Sequence, residues 1–171
     1  MFDIGDAVYH PTNGAGVIAR LQTMPTLKKG QQFYRIRMLG RGRTVLMVPV
    51  KKAEELGLRK AVAREEIDHV LHILSGDPTE LPKKHKRRYK VCQDKLDTAD
   101  TIQIAEVVRD LAWRRHKHEK LNVPGRRIYK KAMNLLVGEL AVAQDVSLQD
   151  AEEQVTEALK SLEALPSQAL G

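Results

Sequence analysis

The sequence is poor in cysteine, in aromatic residues and in long hydrophobic runs. Cys92 is the only cysteine among 171 residues, so no intrachain disulfide can form, and a small buried apolar side chain is its simplest role. No apolar run approaches the roughly 18 residues that a membrane-spanning helix needs. The N-terminus MFDIGDAVYH has neither the basic nor the apolar region of a signal peptide. These absences favour a reducing, cytoplasmic setting.

Motifs for catalysis and metal binding are also missing. The chain has no P-loop, no GxGxxG after a strand, no HExxH and no GxSxG. His116 and His118 are two residues apart and would point to opposite sides of a helix. His69 and His72 have a usable spacing, but neither a cysteine nor another histidine lies near them in the sequence. The sequence therefore predicts a protein that is not an enzyme and needs no metal or cofactor.

What the chain does have is positive charge, and that charge is segregated. The formal net charge is +7, which suggests a polyanionic partner. Residues 1–62 carry a net +7, 63–82 carry −4, 83–131 carry +10 and 132–171 carry −6. Solubility alone would be served by interspersed signs, so the basic centre favours contact with phosphates. The alternative interpretation is a solvated, charged helix face.

The first fifty residues have the pattern of short antiparallel strands. Strands are predicted at Ala7–His10, Ala15–Gln22, Phe33–Met38 and Thr44–Val48, separated by segments rich in proline, glycine and asparagine. This pattern predicts a small antiparallel β-barrel of the Tudor or SH3-like kind.

The remainder has helical periodicity. Helices are predicted at Arg64–Leu74 and at about 84–96, 100–119, 125–144 and 148–164, with Asn122 and Ser147 as N-caps. On the third of these, Trp113 lies opposite the main apolar stripe, which favours a core residue over an exposed one. The overall prediction is an α+β chain of two domains, a β domain at 1–62 and an all-α domain at 63–165, with a tail at 166–171.

Three clusters of cations lie on the predicted helices. Residues 83–90 contain six Lys/Arg in eight positions. A second cluster ends the next helix and consists of Arg114, Arg115, Lys117 and Lys120. The third opens the following helix, where positive charge opposes the helix dipole and therefore needs another reason, such as phosphate binding. Its members are Arg126, Arg127, Lys130 and Lys131.

At this point the ordered motifs resemble those of the CarD/CdnL family of bacterial transcription regulators, over about residues 3–163. The N-terminal stretches alone would also fit the polymerase-interacting domain of the transcription-repair coupling factor, and the helical remainder separates the two. The matching stretches are Gly5-Asp6-Ala7-Val8, Pro11 with Gly14-Ala15-Gly16-Val17, Tyr34-Arg35-Ile36-Arg37, Val48-Pro49-Val50, Gly57-Leu58-Arg59, Arg87-Arg88-Tyr89-Lys90, Ile104-Ala105-Glu106-Val107-Val108-Arg109-Asp110-Leu111 and Leu136-Val137-Gly138-Glu139-Leu140-Ala141.

The resemblance implies a Tudor-like domain that docks on the β subunit of RNA polymerase, with Ile36, Met47 and Pro49 at the contact. For Ile36, Met47 and Pro49, ordinary packing within the barrel is the alternative. The resemblance also implies a helical domain that touches promoter DNA at the upstream edge of the bubble and stabilises the open complex. Arg87, Lys90 and Lys131 fall on family positions that contact the DNA backbone, and Arg88 is added as a neighbour.

One position departs from the family pattern. The family places a tryptophan two residues before the Arg-Arg-Tyr step, where it wedges into the minor groove, and this sequence has His85 there. Imidazole offers less apolar area than indole, so we expect weaker resistance to closing of the bubble. Two interpretations follow. In the first, the protein is a weaker or specialised regulator that still binds polymerase. In the second, Trp113 has taken over the wedge role.

The predicted function is thus a monomeric, nucleoid-associated regulator that binds polymerase and promoter DNA. The DNA contacts predicted from the resemblance and from the basic clusters are His85, Arg87, Arg88, Lys90, Arg126, Arg127 and Lys131. A general nucleic-acid-binding protein that acts without polymerase is the alternative, because the first 62 residues are themselves basic.

Overall fold

The computed structural model describes residues 1–25, 30–40, 44–118 and 120–165. Strands come first and helices follow, which confirms the predicted α+β class. The strands are β1 (Ala7–His10), β2 (Gly14–Thr23), β3 (Gln32–Met38), β4 (Val45–Pro49) and β5 (Arg59–Lys60). The helices are α1 (Ile67–Ser75), α2 (His85–Asp97), α3 (Thr101–His118), α4 (Val123–Gln144) and α5 (Leu148–Leu159). The predicted tail at 166–171 and the end of the third predicted helix at Glu119 lie outside the described residues.

The strands form one open antiparallel sheet in the order β4-β3-β2-β1-β5. The prediction of a closed barrel was therefore wrong, although this arrangement is compatible with a Tudor-like domain. Closure would require β4 to pair with β5, but the chain turns into a short 3-10 helix directly after Pro49. The following segment places Ala53 and Leu58 in the core beneath the sheet, and β5 contains only two residues. The chain between the edge strands thus covers a face of the sheet instead of closing it.

The two faces of the sheet pack against different partners. Val8, Ile18, Ile36 and Val48 point to one face and form a small core with Leu58 and its neighbours. Alternation places the other side chains of β1 on the opposite face, where Tyr9 joins the core of the helices. Helix α4 packs on β1 and β2 there. The sheet and the helices therefore share one hydrophobic core.

The helices begin close to the predicted residues because local capping signals are strong. The Asn122 side chain accepts a hydrogen bond from the Gly125 amide at 3.1 Å, and Ser147 accepts one from the Asp150 amide at 3.0 Å. Both predicted N-caps are confirmed. Trp113 is only 4% exposed and packs with Ala112 and Leu162, which confirms its prediction as a core residue.

Two adjacent residues of α3 hold the irregular segment between α1 and α2. The Asp110 carboxylate accepts hydrogen bonds from the Thr79 amide at 2.9 Å and from Arg109 at 2.8 Å. Arg109 also donates to the Thr79 hydroxyl at 2.7 Å. Burial raises the pKa of Asp110, and these donors oppose that shift. The segment that leads into α2 is thereby fixed to the core.

Candidate functional surfaces

The start of α2 presents a row of cations and one imidazole to solvent. His85, Lys86, Arg87 and Lys90 are all exposed. Lys84 occupies the N-cap without a side-chain capping bond, and the first turn contains no acidic residue. Cations at this end of a helix oppose the dipole, so the arrangement has a local cost that an external anion would remove. Lys90 also pairs with Asp94 at 3.0 Å on the exposed surface, a contact that water screens.

Arg88 takes a different place from its neighbours. It is 4% exposed, and its guanidinium donates to the carbonyl oxygens of Pro82 and Lys83 at 3.1 and 2.9 Å. The guanidinium also lies 5.1 Å from the centre of the Tyr89 ring. This burial commits most of the side chain to holding the loop before α2, and a direct contact of Arg88 with phosphate stays a prediction. The partners named above are all neutral, and its buried Nε has no hydrogen-bond acceptor among the described residues.

Tyr89 connects α2 to the start of α4. Its hydroxyl donates a short hydrogen bond to the Asn122 side chain, the same group that caps α4. A Cβ at Gly125 would lie 3.0 Å from this hydroxyl, so glycine permits the close approach. Arg126 donates to the Leu121 carbonyl oxygen at 2.8 Å, which fixes the loop between α3 and α4. Residues far apart in sequence therefore meet at one place.

A basic cleft opens where these elements meet. It encloses about 490 Å³. The described residues that line it include no carboxylate and are Arg88, Tyr89, Arg114, His118, Lys120, Leu121, Asn122, Val123 and Arg126. We call it the basic cleft. A neighbouring cleft shares Arg114 and His118 and extends to Lys83 and Lys117, and its lining also contains the carboxylates Glu80 and Asp110. Together the two clefts form a surface that runs from the loop before α2 to the start of α4.

The pKa values of Arg114 and His118 reflect the positive potential in the basic cleft. Desolvation and then the nearby Arg88 charge lower the pKa of Arg114. Desolvation, followed by Arg114, Lys117 and Arg88, lowers the pKa of His118. Like charges depress a cationic group's pKa when the local potential is positive. The basic cleft is therefore an environment that favours an anion.

The remaining predicted DNA contacts lie on α4. Arg127 and Lys131 are exposed and four residues apart, so they occupy one side of the helix. Neither lines the basic cleft, whereas Arg126 does. The structure thus separates Arg126 from Arg127. It adds Arg114 and Lys120, which sequence reasoning counted within a basic cluster but did not select as contacts.

The predicted polymerase contacts divide between the two faces of the sheet. Met47 pairs with Arg35 and Pro49 pairs with Phe33, so Met47 and Pro49 share the face that turns away from the small core. Both are half-buried, and Arg35 lies beside Met47. Ile36 pairs with Leu46 on the opposite face and is fully buried, 0% exposed. Its side chain packs in the small core, so the predicted direct contact of Ile36 does not fit the structure.

Three further observations concern the reactivity of the cysteine, metal binding and membrane insertion. Burial raises the pKa of the Cys92 thiol to about 11, so the side chain stays protonated near neutral pH. Among the described residues, no three His, Cys, Asp or Glu side chains are placed to hold a metal ion. No helix within residues 1–25, 30–40, 44–118 and 120–165 has the length and apolar character required to span a membrane.

The sequence matches two protein-family models. Residues 2–62 match the CarD-like/TRCF RID domain, and residues 69–156 match the C-terminal domain of CarD. The chain is also similar to YdeB of Bacillus subtilis (strain 168), a candidate transcription factor. The two are 33% identical over 147 residues, which cover 86% of this chain and 95% of YdeB.

Proposed function

This chain belongs to the CarD family of transcription regulators, and on that premise we propose that it binds two partners at once. The open sheet docks on the β subunit of RNA polymerase. The helices contact promoter DNA near the upstream edge of the bubble and modulate the stability of the open complex. The protein then acts at the nucleoid, as a monomer, without catalysing a reaction.

The observation that carries the DNA contact is the basic cleft, whose described lining residues include no carboxylate. Arg88 strengthens it, because a buried guanidinium with only neutral partners is costly until an anion approaches. The exposed cations of α2 and α4 extend the surface on either side. Such contacts supply affinity and orientation on the backbone but little sequence readout. We therefore infer that this surface holds DNA in place while polymerase selects the promoter.

Support for the polymerase contact comes from the edge strand β4. It pairs with β3 on one side, and no other described strand pairs with its outer side. An exposed edge offers backbone donors and acceptors to a strand of a partner, and alternate side chains then set specificity. Met47 and Pro49 supply apolar contacts there, and Arg35 supplies charge. A partner strand with acidic side chains would fit this edge.

His85 sets an expectation for the strength of the effect on the open complex. It is exposed at the first residue of α2, at the family position of the wedge tryptophan. The only tryptophan is buried in the core and does not replace it. We propose that this protein stabilises the open complex less than a relative with the wedge.

Full-length point variants test the two contacts separately. Residues 1–62 alone would expose the sheet face around Tyr9, so a fragment is a poor probe. Met47→Asp should abolish co-purification with polymerase and leave binding to duplex DNA unchanged. Arg87→Glu should weaken DNA binding and leave polymerase binding unchanged. Retained polymerase binding in Met47→Asp would contradict the assignment of the edge.

The alternative of a polymerase-independent nucleic-acid-binding protein is decided by the same assays. Arg35 and Arg37 place positive charge on the sheet itself. If reversal of both charges abolished binding to free DNA or RNA, while Arg87→Glu did not, the sheet would be the nucleic-acid surface. We expect the opposite result, because the basic cleft lies on the helices.

A further inference from the structure

An ion pair between a partly exposed arginine and a buried glutamate joins the edge of the sheet to helix α4. Glu139 on α4 is fully buried, and its two carboxylate oxygens accept hydrogen bonds from Arg59 on β5. The distances are 2.6 Å from Nη1 to Oε1 and 3.1 Å from Nη2 to Oε2. This bidentate geometry fixes both the separation and the relative angle of the two groups.

Further hydrogen bonds extend the pair to two more segments. The Ala99 carbonyl oxygen, in the turn between α2 and α3, accepts from Arg59 Nε and Nη2 at 2.9 and 2.6 Å. The Thr101 hydroxyl and the Val62 amide donate to Glu139 Oε1 at 3.0 and 2.8 Å. We call this set the Arg59–Glu139 network. It connects β5, the chain that leaves the sheet, the start of α3 and the middle of α4.

Tyr9 completes the network from the sheet side. The Arg59 guanidinium lies 4.3 Å from the centre of the Tyr9 ring. The Tyr9 hydroxyl is buried without a hydrogen-bond partner. The ring therefore contributes packing and a cation–π contact, and its hydroxyl contributes nothing to the network.

The apolar contact between sheet and helices is comparatively permissive. Small residues meet where α4 crosses the sheet, and a Cβ at Gly138 would lie 3.8 Å from the Cβ of Ala15. Smooth apolar surfaces tolerate small shifts, because their attraction does not depend strongly on direction. A buried ion pair often adds little net stability compared with apolar packing, but it tolerates only a narrow geometry. The directional bonds are thus the part of the interface that defines an angle.

We propose that Arg59, Thr101 and Glu139 are positioning residues that hold the polymerase-docking edge and the basic cleft at a fixed relative orientation. This inference rests on the proposed function. A rigid connection makes binding of the second partner effectively intramolecular once the first is bound. Loosening the network should leave each separate contact intact and weaken the complex that contains both.

The first test measures orientation without any partner. Spin labels on cysteines introduced at Glu55 and Gln149, both exposed, report a distance between the sheet side and α5. Cys92 stays unlabelled, because burial keeps its thiol protonated and enclosed. Arg59→Lys and Thr101→Val should broaden the distance distribution at temperatures well below unfolding. Tyr9→Phe is the matched control at the same interface, and its distribution should equal that of the wild type.

The second test measures coupling between the partners. Arg59→Lys and Thr101→Val should bind core polymerase alone and duplex DNA alone with wild-type affinity. Their affinity for the polymerase–promoter complex should fall about tenfold, as expected if the effective concentration of the second partner drops by that factor. Both variants keep the Glu139 carboxylate paired or hydrogen-bonded, so folding should be retained, which circular dichroism would check.

Two results would overturn the proposal. One is a distance distribution in Arg59→Lys and Thr101→Val as narrow as in the wild type. The other is a loss of affinity for the joint complex no larger than the loss for the separate partners. Failure of the wild type to bind polymerase or DNA would instead contradict the proposed function, and the distance measurement would still decide whether the network fixes the orientation.

Discussion

The sheet region and the central helices have similar surpluses of positive charge and use them differently. Residues 1–62 carry a net +7, and residues 83–131 carry a net +10. In the sheet region, Arg59 pairs with a buried carboxylate, while Arg35 and Arg37 lie on one face of β3 with Arg20 opposite Arg35. In the helices, cations from α2, α3 and α4 converge on one cleft, and none of its lining residues in the described part of the chain is a carboxylate. Net charge therefore identifies a class of partner, but convergence of charge identifies the surface.

The partners of three arginines with buried contacts differ in the same way. Arg59 is paired with Glu139, and Arg109 with Asp110 at 2.8 Å. Arg88, beside the basic cleft, contacts carbonyl oxygens and an aromatic ring instead. A paired internal arginine serves the fold, whereas one without a carboxylate leaves a charge that a ligand can use.

The largest expected effect comes from breaking the buried pair of the sheet region. Glu139→Ala leaves the partly exposed Arg59 without its carboxylate and should lower the free energy of unfolding by about 3 kcal/mol, the lower end of the range for a fully buried pair. Chemical denaturation measures this. Asp94→Ala breaks the exposed pair with Lys90 and is the control, because a solvated pair contributes little. Equal losses of stability in the two variants would show that burial does not distinguish the pairs.

The next effect concerns DNA affinity. Reversing two cations of the basic cleft, Arg114→Glu with Lys120→Glu, should lower affinity for duplex DNA more than tenfold at low salt. It should also reduce the slope of log affinity against log salt by about 1 for each phosphate that the variant no longer neutralises. The control is Lys51→Glu with Lys52→Glu, the same charge change at exposed positions of the sheet region. If the control weakened binding as much, total charge rather than the cleft would govern binding.

A gain of function tests the start of α2. His85→Trp restores the larger apolar ring at the family position and should lengthen the lifetime of the open complex several-fold, because more apolar area resists closing of the bubble. The lifetime is measured by challenging preformed complexes with a competitor. His10→Trp would not serve as a control, since His10 ends strand β1 and its ring accepts hydrogen bonds from the turn that follows. His72→Trp places the same ring at an exposed helical position elsewhere. No change in His85→Trp would mean that α2 meets DNA in another orientation.

The smallest effect compares two histidines by their titration. Burial lowers the pKa of His10, whose Nδ1 accepts hydrogen bonds from the amides of Thr12 and Asn13 at 3.2 and 3.3 Å. The pKa of His118 is lowered by desolvation and by the cations around the basic cleft. Bound phosphate would offset those cations, so NMR titration should show the His118 midpoint rising when DNA is added, and DNA affinity should rise as the pH falls. The His10 midpoint should stay unchanged.

The same pKa shifts determine the direction in which stability changes with pH. For both histidines the folded-state pKa lies below the usual 6.5, so the folded state binds protons less readily than the unfolded state. Stability should therefore fall as the pH falls through 6.5 and level off below the folded-state pKa. His10→Asn should flatten part of that dependence. An unchanged pH profile in this variant would show that protonation of His10 is not linked to folding.

Sequence reasoning located most of the elements because their signals are local. Strand β1 and the starts of α4 and α5 depend on alternation, proline and capping side chains within a few residues, and they were predicted closely. Strand β5 was missed, because two residues carry no periodic signal and pair only through contact with β1. The closed barrel was a wrong prediction for a related reason, since closure depends on where the chain goes after Pro49.

The candidate site was predicted in part. The basic side chains from His85 to Lys90 were selected from their density along the chain, but density does not distinguish Arg88, which is buried, from Arg87, which is exposed. Ile36 was selected from the family pattern, and register with Leu46 places it in the small core instead. Arg114 could have been selected by its position at the end of a helix near two other basic clusters. Only the meeting of α2, α3 and α4 shows that it lines the cleft.

The sequence by itself determined the class of this protein: charge of one sign in the centre, strands before helices, caps at the helix starts and the ordered motifs of one family. Those features depend on residue type and on neighbours within a few positions. The tertiary structure decided which cations reach solvent, which strands form the edges of the sheet, and that Arg59 meets Glu139 across 80 positions of sequence. Such outcomes depend on contacts between distant segments, whose formation is governed by burial and by the need to pair charge in the interior, and no local pattern encodes them.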